Sequence, residues 1–178
     1  MKKIVLTYGL IAGLVSCLGY LIMIGGGEMN FDKGMLYGFA SMFLAFALIF
    51  VATNQYRKQN GGTITFGKAF LIGLYISLIA SSIYVLVWLI TYYNFHPDFM
   101  EKYTAYSLDQ LKASGASQAI IDAKTAEMQE AAKNYKKPLF VILYTYAEIL
   151  PLSLIISLIS AGVYSLISLN KKKETNTI

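Results

Sequence analysis

An all-α integral membrane fold is what this sequence predicts: a bundle of four transmembrane helices, with an extracytoplasmic amphipathic helical hairpin between the third and the fourth. Three observations predict it. Four long apolar runs cover residues 4–24, 35–53, 69–93 and 139–169, and Glu148 is the single charged residue within them. About 20 apolar residues cross the hydrocarbon core as helix, and only helices or closed barrels satisfy the backbone there. Charged residues make up 14% of the chain against 56% hydrophobic, a deficit relative to the quarter or so that soluble domains carry. Finally, the basic clusters Lys2–Lys3, Arg57–Lys58 with Lys68, and Lys171–Lys173 all flank the apolar runs. That placement records orientation in a bilayer. It does not build a groove for phosphates, so nucleic-acid binding is set aside despite the formal charge of +5. Residues 1–178 read as one membrane domain.

The first span opens behind Lys2–Lys3 and contains the lone cysteine, Cys17, so no intrachain disulfide can form. Leu14-Val15-Ser16-Cys17 resembles a lipoprotein cleavage box, but apolar residues continue past it to Ile24 where a lipoprotein turns polar. An uncleaved anchor is the reading adopted. Gly9 and Gly13, like Gly34 and Gly38 at the second span, form small-xxx-small patterns that let helices approach closely. Gly61-Gly62-Thr63 lacks the remaining residues of a phosphate-binding loop and reads as a turn before the third span. Trp88, Tyr92 and Tyr93 close that span with amphipathic rings suited to headgroups.

Residues 97–137 are too regular for a loose loop. Pro97 suits a first helical position, with Asp98 and Glu101 in the first turn. Phe99, Tyr103 and Tyr106 follow an i, i+4, i+7 stripe. Gly115 then ends one helix and Ser117 caps the next, which carries Ile121, Met128, Ala132 and Tyr135 on one face. The two apolar stripes are candidate partner-docking surfaces. The fourth run, at about 1.5 Å per residue, is about 46 Å long, so it must tilt, kink at Pro151 or project from the bilayer as helix.

Four spans place both termini on one side. Weighting short loops and the first helix favours a cytoplasmic location for them, although Lys136–Lys137 beside the fourth span oppose it.

Five stretches taken in order are similar to a known family: Tyr8-Gly9-Leu10-Ile11-Ala12-Gly13, Thr65-Phe66-Gly67-Lys68-Ala69-Phe70, Pro97-Asp98-Phe99-Met100-Glu101-Lys102-Tyr103, Leu111-Lys112-Ala113-Ser114-Gly115-Ala116-Ser117 and Glu148-Ile149-Leu150-Pro151. Over nearly its whole length the chain resembles the uncharacterised bacterial membrane protein family filed as domain of unknown function 4199, found mainly in Bacteroidota-type bacteria. The resemblance implies a bacterial inner-membrane protein and carries no activity.

Glu148 and Pro151 are the candidate intramembrane functional residues. An acid at mid-bilayer costs roughly 3 kcal/mol on insertion scales and marks a pathway by default. Counting from Leu169 places Glu148 near the outer boundary, where a structural, water-facing carboxylate is the heavier reading; Tyr84, Trp88 or Tyr92 share its height. Pro151 removes one backbone hydrogen bond near Ala147, giving a plain kink or a polar hinge. His96, Asp98 and Glu101 straddle a helix start rather than sharing a face, so no metal site is expected. Ser77, Ser81, Ser153, Ser157 and Ser160 have no intramembrane histidine to act as base and are read as packing residues. The fourteen tyrosines are read as interfacial anchors and packing groups. No cofactor and no enzymatic activity are expected. The expected function is an envelope scaffold or interaction module, with the bilayer and an envelope protein or a second copy as partners. The alternative is a small oligomeric proton-linked transporter or channel subunit using Glu148 and Pro151.

Overall fold

The computed structural model describes residues 1–19, 21 and 30–175. Among them six helices are bounded: α1 (Lys2–Ser16), α2 (Phe31–Gln59), α3 (Phe66–Phe95), α4 (Phe99–Ala113), α5 (Gln118–Tyr135) and α6 (Pro138–Thr175). Three of these, α2, α3 and α6, are long and apolar enough to cross a bilayer, as expected of a membrane protein. The expected first span is described in part: α1 has 15 residues, about 22 Å of helix, and residues 20 and 22–24 of the run lie outside the described residues, as does Glu28 of the loop that follows.

Each boundary has a local cause. Asn30 caps α2, its side-chain oxygen accepting the Lys33 amide at 3.0 Å. At the other end Gly61 (φ 71°) and Gly62 (φ 85°) turn the chain through left-handed backbone that only glycine adopts without strain. The amide of Gly62 returns to the Arg57 carbonyl at 2.9 Å. Gly115 (φ 73°) does the same between α4 and α5, and Ser117 occupies the position before α5 without a capping bond from its hydroxyl. Pro97 lies in a turn; α4 starts at Phe99, two residues later than the sequence suggested, with Asp98 at the cap position. The Asp98 side chain makes no capping bond and pairs with Lys102. Pro151 does not end its helix, and α6 runs through it for 38 residues.

The chain packs as two compact units, Met1–Tyr84 with Ala147–Ile178, and Val85–Tyr146. In the first unit the core holds small residues and hydroxyls beside the aliphatics. Ala12, Ala45, Ala52, Ala69, Ala80 and Ala161 are fully buried, as are Ser16, Thr53, Ser77, Ser81, Ser153, Ser157 and Ser160. Leu14, Leu36, Leu44, Ile155 and Leu166 are exposed instead. Water would penalise that arrangement by about 25 cal/mol per Å² of apolar surface; lipid does not, and close approach of small residues is how helices associate in it.

The glycines define the approach. A Cβ on Gly9 would stand 2.9 Å from Ile79 Cβ, and one on Gly13 would stand 2.6 Å from Ile83 Cδ1. Both steps are four residues, so α1 and α3 run parallel. A Cβ on Gly73 would stand 2.5 Å from Ser157 Oγ, bringing α3 against α6. Gly34 is buried, whereas a Cβ on Gly38 would meet nothing within 4 Å. It is the Gly38 backbone that is approached, by Gly19, which also lies against the Tyr37 carbonyl.

The second unit is held by rings. Trp88 meets Phe99 edge-on at 4.8 Å between centroids, Phe99 stacks on Tyr103, and Tyr92 meets Tyr135 at 5.3 Å. Tyr135 stacks on Tyr144, which meets Phe140. The Trp88 indole N–H donates to the Tyr135 hydroxyl at 3.3 Å. Such ring pairs contribute about 0.5–1.5 kcal/mol each beyond their area.

Candidate functional site

In α6 successive side chains turn by about 100°, so Ile149, Ser153, Ile156, Ser157 and Ser160 share the buried side. Glu148 and Pro151, three residues apart, fall on the exposed side with Tyr144, Ile155 and Leu158. The one acid of the apolar runs therefore faces away from the core of its unit. No hydrogen bond or ion pair joins its carboxylate to another described residue. Alone, it can take up or release a proton; acid–base catalysis needs a second positioned group.

Inside the first unit, hydroxyls form a seam. Ser77 and Ser157 oxygens lie 3.4 Å apart across α3 and α6. Ser41 donates to the Ser16 carbonyl at 3.1 Å, joining α2 to the end of α1. Ser153 and Ser157 donate to carbonyls of their own helix. Thr53, Ser81 and Ser160 hydroxyls are buried with no protein partner. The Cys17 thiol is buried and donates to the Gly13 carbonyl at 3.2 Å.

The candidate docking residues have a different position from that of a free surface. Phe99, Tyr103, Tyr106, Ile121 and Tyr135 are half-buried and Met128 is buried. α4 packs on α5, and Phe99 and Tyr135 of the stripes contact the flanking rings Trp88, Tyr92 and Tyr144. What remains outward is polar or small: Asp109, Lys112, Ala113, Asp122 and Lys133 are exposed, with Ile120 a lone large apolar residue among them. Trp88 and Tyr92, which the sequence offered as neighbours for Glu148, are engaged in the ring cluster of the second unit.

His96 is half-buried and its Nε2 has no protein partner. Asp98 is committed to Lys102 at 2.6 Å, and that hydrogen bond holds its carboxyl below the usual range. Among the described residues no three His, Cys, Asp or Glu side chains converge as metal ligands.

Two features escaped the sequence reading. One is Gly73, whose signal was its spacing with Ser77 and Ser81 at i+4 and i+8. The other is a clasp at the basic end of the first unit. There Arg57 Nη1 donates to the Gly62 carbonyl at 3.1 Å, Arg57 Nη2 to Asn54 at 3.0 Å, and its guanidinium lies over the Tyr164 ring. Lys171 donates to the Gly61 carbonyl at 3.0 Å, in space left by the missing Cβ of Gly62. The Ile64 amide donates to Ser168 at 2.9 Å. Nothing in local periodicity pairs residues a hundred positions apart.

No match is found among curated proteins or among solved structures. A family model described as "Protein of unknown function (DUF4199)" matches residues 7–165. That stretch takes in α2 to α5 whole and most of α1 and α6, with Glu148, Pro151, the glycine pairs and the α4–α5 stripes inside it. The chain is a member of the DUF4199 family.

Proposed function

We propose that this chain is a non-enzymatic module of a bacterial inner membrane. In this reading it has four spans, both termini are cytoplasmic, and the α4–α5 pair is an extracytoplasmic docking surface for an envelope partner. One observation carries the reading. The pair is tied to the ends of α3 and α6 by its rings, Phe99 on Trp88 and Tyr135 on Tyr92 and Tyr144, and leaves a preformed face of charged and small residues around Ile120. A preordered face binds without the cost of ordering a loop. The test is photo-crosslinking in cells from positions 113 and 120, with mass spectrometry of the adducts. One stoichiometric envelope protein is expected, lost when Asp109 and Lys112 are both changed to Ala. Adducts only to the chain itself, or none, would overturn the docking role.

A second reading is a proton-linked transporter or channel subunit using Glu148 and Pro151. It is favoured by the outward carboxylate, because a charge on the lipid-facing side of a span is costly unless another protein surface covers it. Four spans with the acid outside their core require an oligomer for any path. Glu148→Gln is then expected to abolish proton-coupled flux in vesicles while leaving insertion unchanged. Unaltered flux would remove this reading.

A further inference from the structure

A cleft of about 600 Å³ opens at the basic end of the first unit, lined by Lys2, Lys3, Thr7 and Tyr8 of α1 and by Gln55 and Gln59 of α2. Its side chains are arranged in two rows. Lys3 and Thr7 are four apart on one face of α1, and Gln55 and Gln59 are four apart on one face of α2, so each row stays in line along its helix.

Farther along, both rows change character together. On α1 the line continues through Leu10 (52% exposed) and Leu14 (66%). On α2 it continues through Val51 (49%) and Leu44 (64%). Polar donors occupy about one turn, roughly 6 Å, and exposed aliphatics follow on both helices. That is the profile of one amphiphile, with its head in the cleft and its chains along the helices.

The donors are also unspent. Among the described residues no side-chain hydrogen bond or ion pair engages Lys2, Lys3, Thr7, Gln55 or Gln59. At the same end Arg57 and Lys171 are occupied by the clasp.

Along α1, the last turns of α2 and the turn after α2 the charge has one sign. Residues 1–19 and 51–68 contain Lys2, Lys3, Arg57, Lys58 and Lys68 and no Asp or Glu. A zwitterionic headgroup would bring its own cation into that field, while an anionic one would not.

We propose that the α1–α2 cleft is a binding site for an anionic glycerophospholipid. Lys2 and Lys3 neutralise the phosphodiester, Thr7, Gln55 and Gln59 donate to the headgroup, and the acyl chains lie along Leu10, Leu14, Val51 and Leu44. The proposal rests on the membrane reading above and not on the docking role of α4–α5. A lipid held there would fasten the start of α1 to the end of α2.

The test uses the full chain purified in detergent and examined by native mass spectrometry against dioleoyl phosphatidylglycerol and dioleoyl phosphatidylcholine. Retention of phosphatidylglycerol is expected to be about tenfold to thirtyfold stronger, the scale of two lysines at a membrane surface. Lys2→Gln with Lys3→Gln should abolish that preference. Lys58→Gln with Lys68→Gln, the same loss of charge outside the cleft, should preserve it. Gln55→Leu with Gln59→Leu keeps every charge and should weaken retention of both lipids, which guards against a lysine variant that fails to fold. Equal losses in the two lysine variants would overturn the site in favour of diffuse attraction. Displacement of the lipid by millimolar inorganic phosphate would overturn the lipid in favour of a free-phosphate site. A chain that stays soluble without detergent would instead defeat the membrane reading itself.

Discussion

The two units of this chain solve the packing problem in opposite ways. In the first, alanines and hydroxyls are buried among Phe46, Met42, Ile49, Ile72 and Ile76, while other large aliphatics lie outside. Gly9, Gly13 and Gly73 let backbones close on Ile79, Ile83 and Ser157, and Leu14, Leu36 and Leu166 cover the exterior. In the second, Trp88 and Tyr92 are buried within a cluster of rings, and charges lie outside along α4 and α5. Trp88, Tyr92, Phe99 and Tyr135 form a connected cluster, while Asp109, Lys112 and Lys133 are exposed. The difference teaches that the two units draw on different forces. Burying rings away from water is driven by the hydrophobic effect, with ring-pair geometry adding to it. Where the alternative is lipid, dispersion at close contact and interhelical polar contacts take over.

The largest test of that contrast is Trp88→Ala. Removing a ring in contact with Phe99, Tyr92 and Tyr135 should destabilise the second unit by about 3–5 kcal/mol. Hydrogen exchange should show the loss in residues 99–135 and leave the amides of α1 and α2 protected. Equal deprotection of both would dissolve the distinction between them.

Gly13→Val comes next, because a Cβ there would press on Ile83 at 2.6 Å. Overpacking should cost about 1–3 kcal/mol, read as a lowered midpoint in SDS or thermal unfolding of the reconstituted protein. Gly38→Ala, where a Cβ meets nothing within 4 Å, should leave the midpoint in place. Matching shifts would mean that glycine content, not close approach, matters.

Smaller still is Ser157→Ala, which removes the 3.4 Å contact to Ser77. Interhelical hydrogen bonds in bilayers average about 0.6 kcal/mol, so a shift of that size is expected from the same unfolding curve. A loss of several kcal/mol would assign the hydroxyl seam more than packing.

The smallest effect concerns the surface of the second unit. Asp98 is held below the ordinary carboxylate range by its hydrogen bond from Lys102. A carboxyl lowered in the folded state contributes stability that is present above its unfolded value, near pH 4, and lost as pH falls through the folded value. Titration of the Asp98 carboxyl by NMR should show a depressed midpoint that returns to the ordinary range in Lys102→Met. An unchanged midpoint would show that the pair does not persist in solution.

Helix positions were legible in the sequence because bilayer-length apolar runs have one way to satisfy their backbones. α2, α3 and α6 accordingly contain residues 35–53, 69–93 and 139–169. The α4–α5 pair was legible from period and punctuation, through the Phe99, Tyr103, Tyr106 stripe and the Gly115 break. Its start at Phe99 rather than Pro97 was not, since a proline in a preceding turn and one in a first turn leave the same mark.

Which faces meet was decided only by the tertiary structure. Spans apolar on nearly every side carry no amphipathic signal, so composition could not say that Glu148 points away from its core while Ser153 and Ser157 point in. Nor could it say that the apolar stripes of α4 and α5 are consumed within the second unit, or that Gly73 matters through Ser157 of α6. Sequence alone located the bilayer-length apolar runs that α2, α3 and α6 contain, because that is a property of each segment against its solvent. The direction of Glu148, the glycine contacts and the α1–α2 cleft are properties of pairs of helices, and only their packing fixes them.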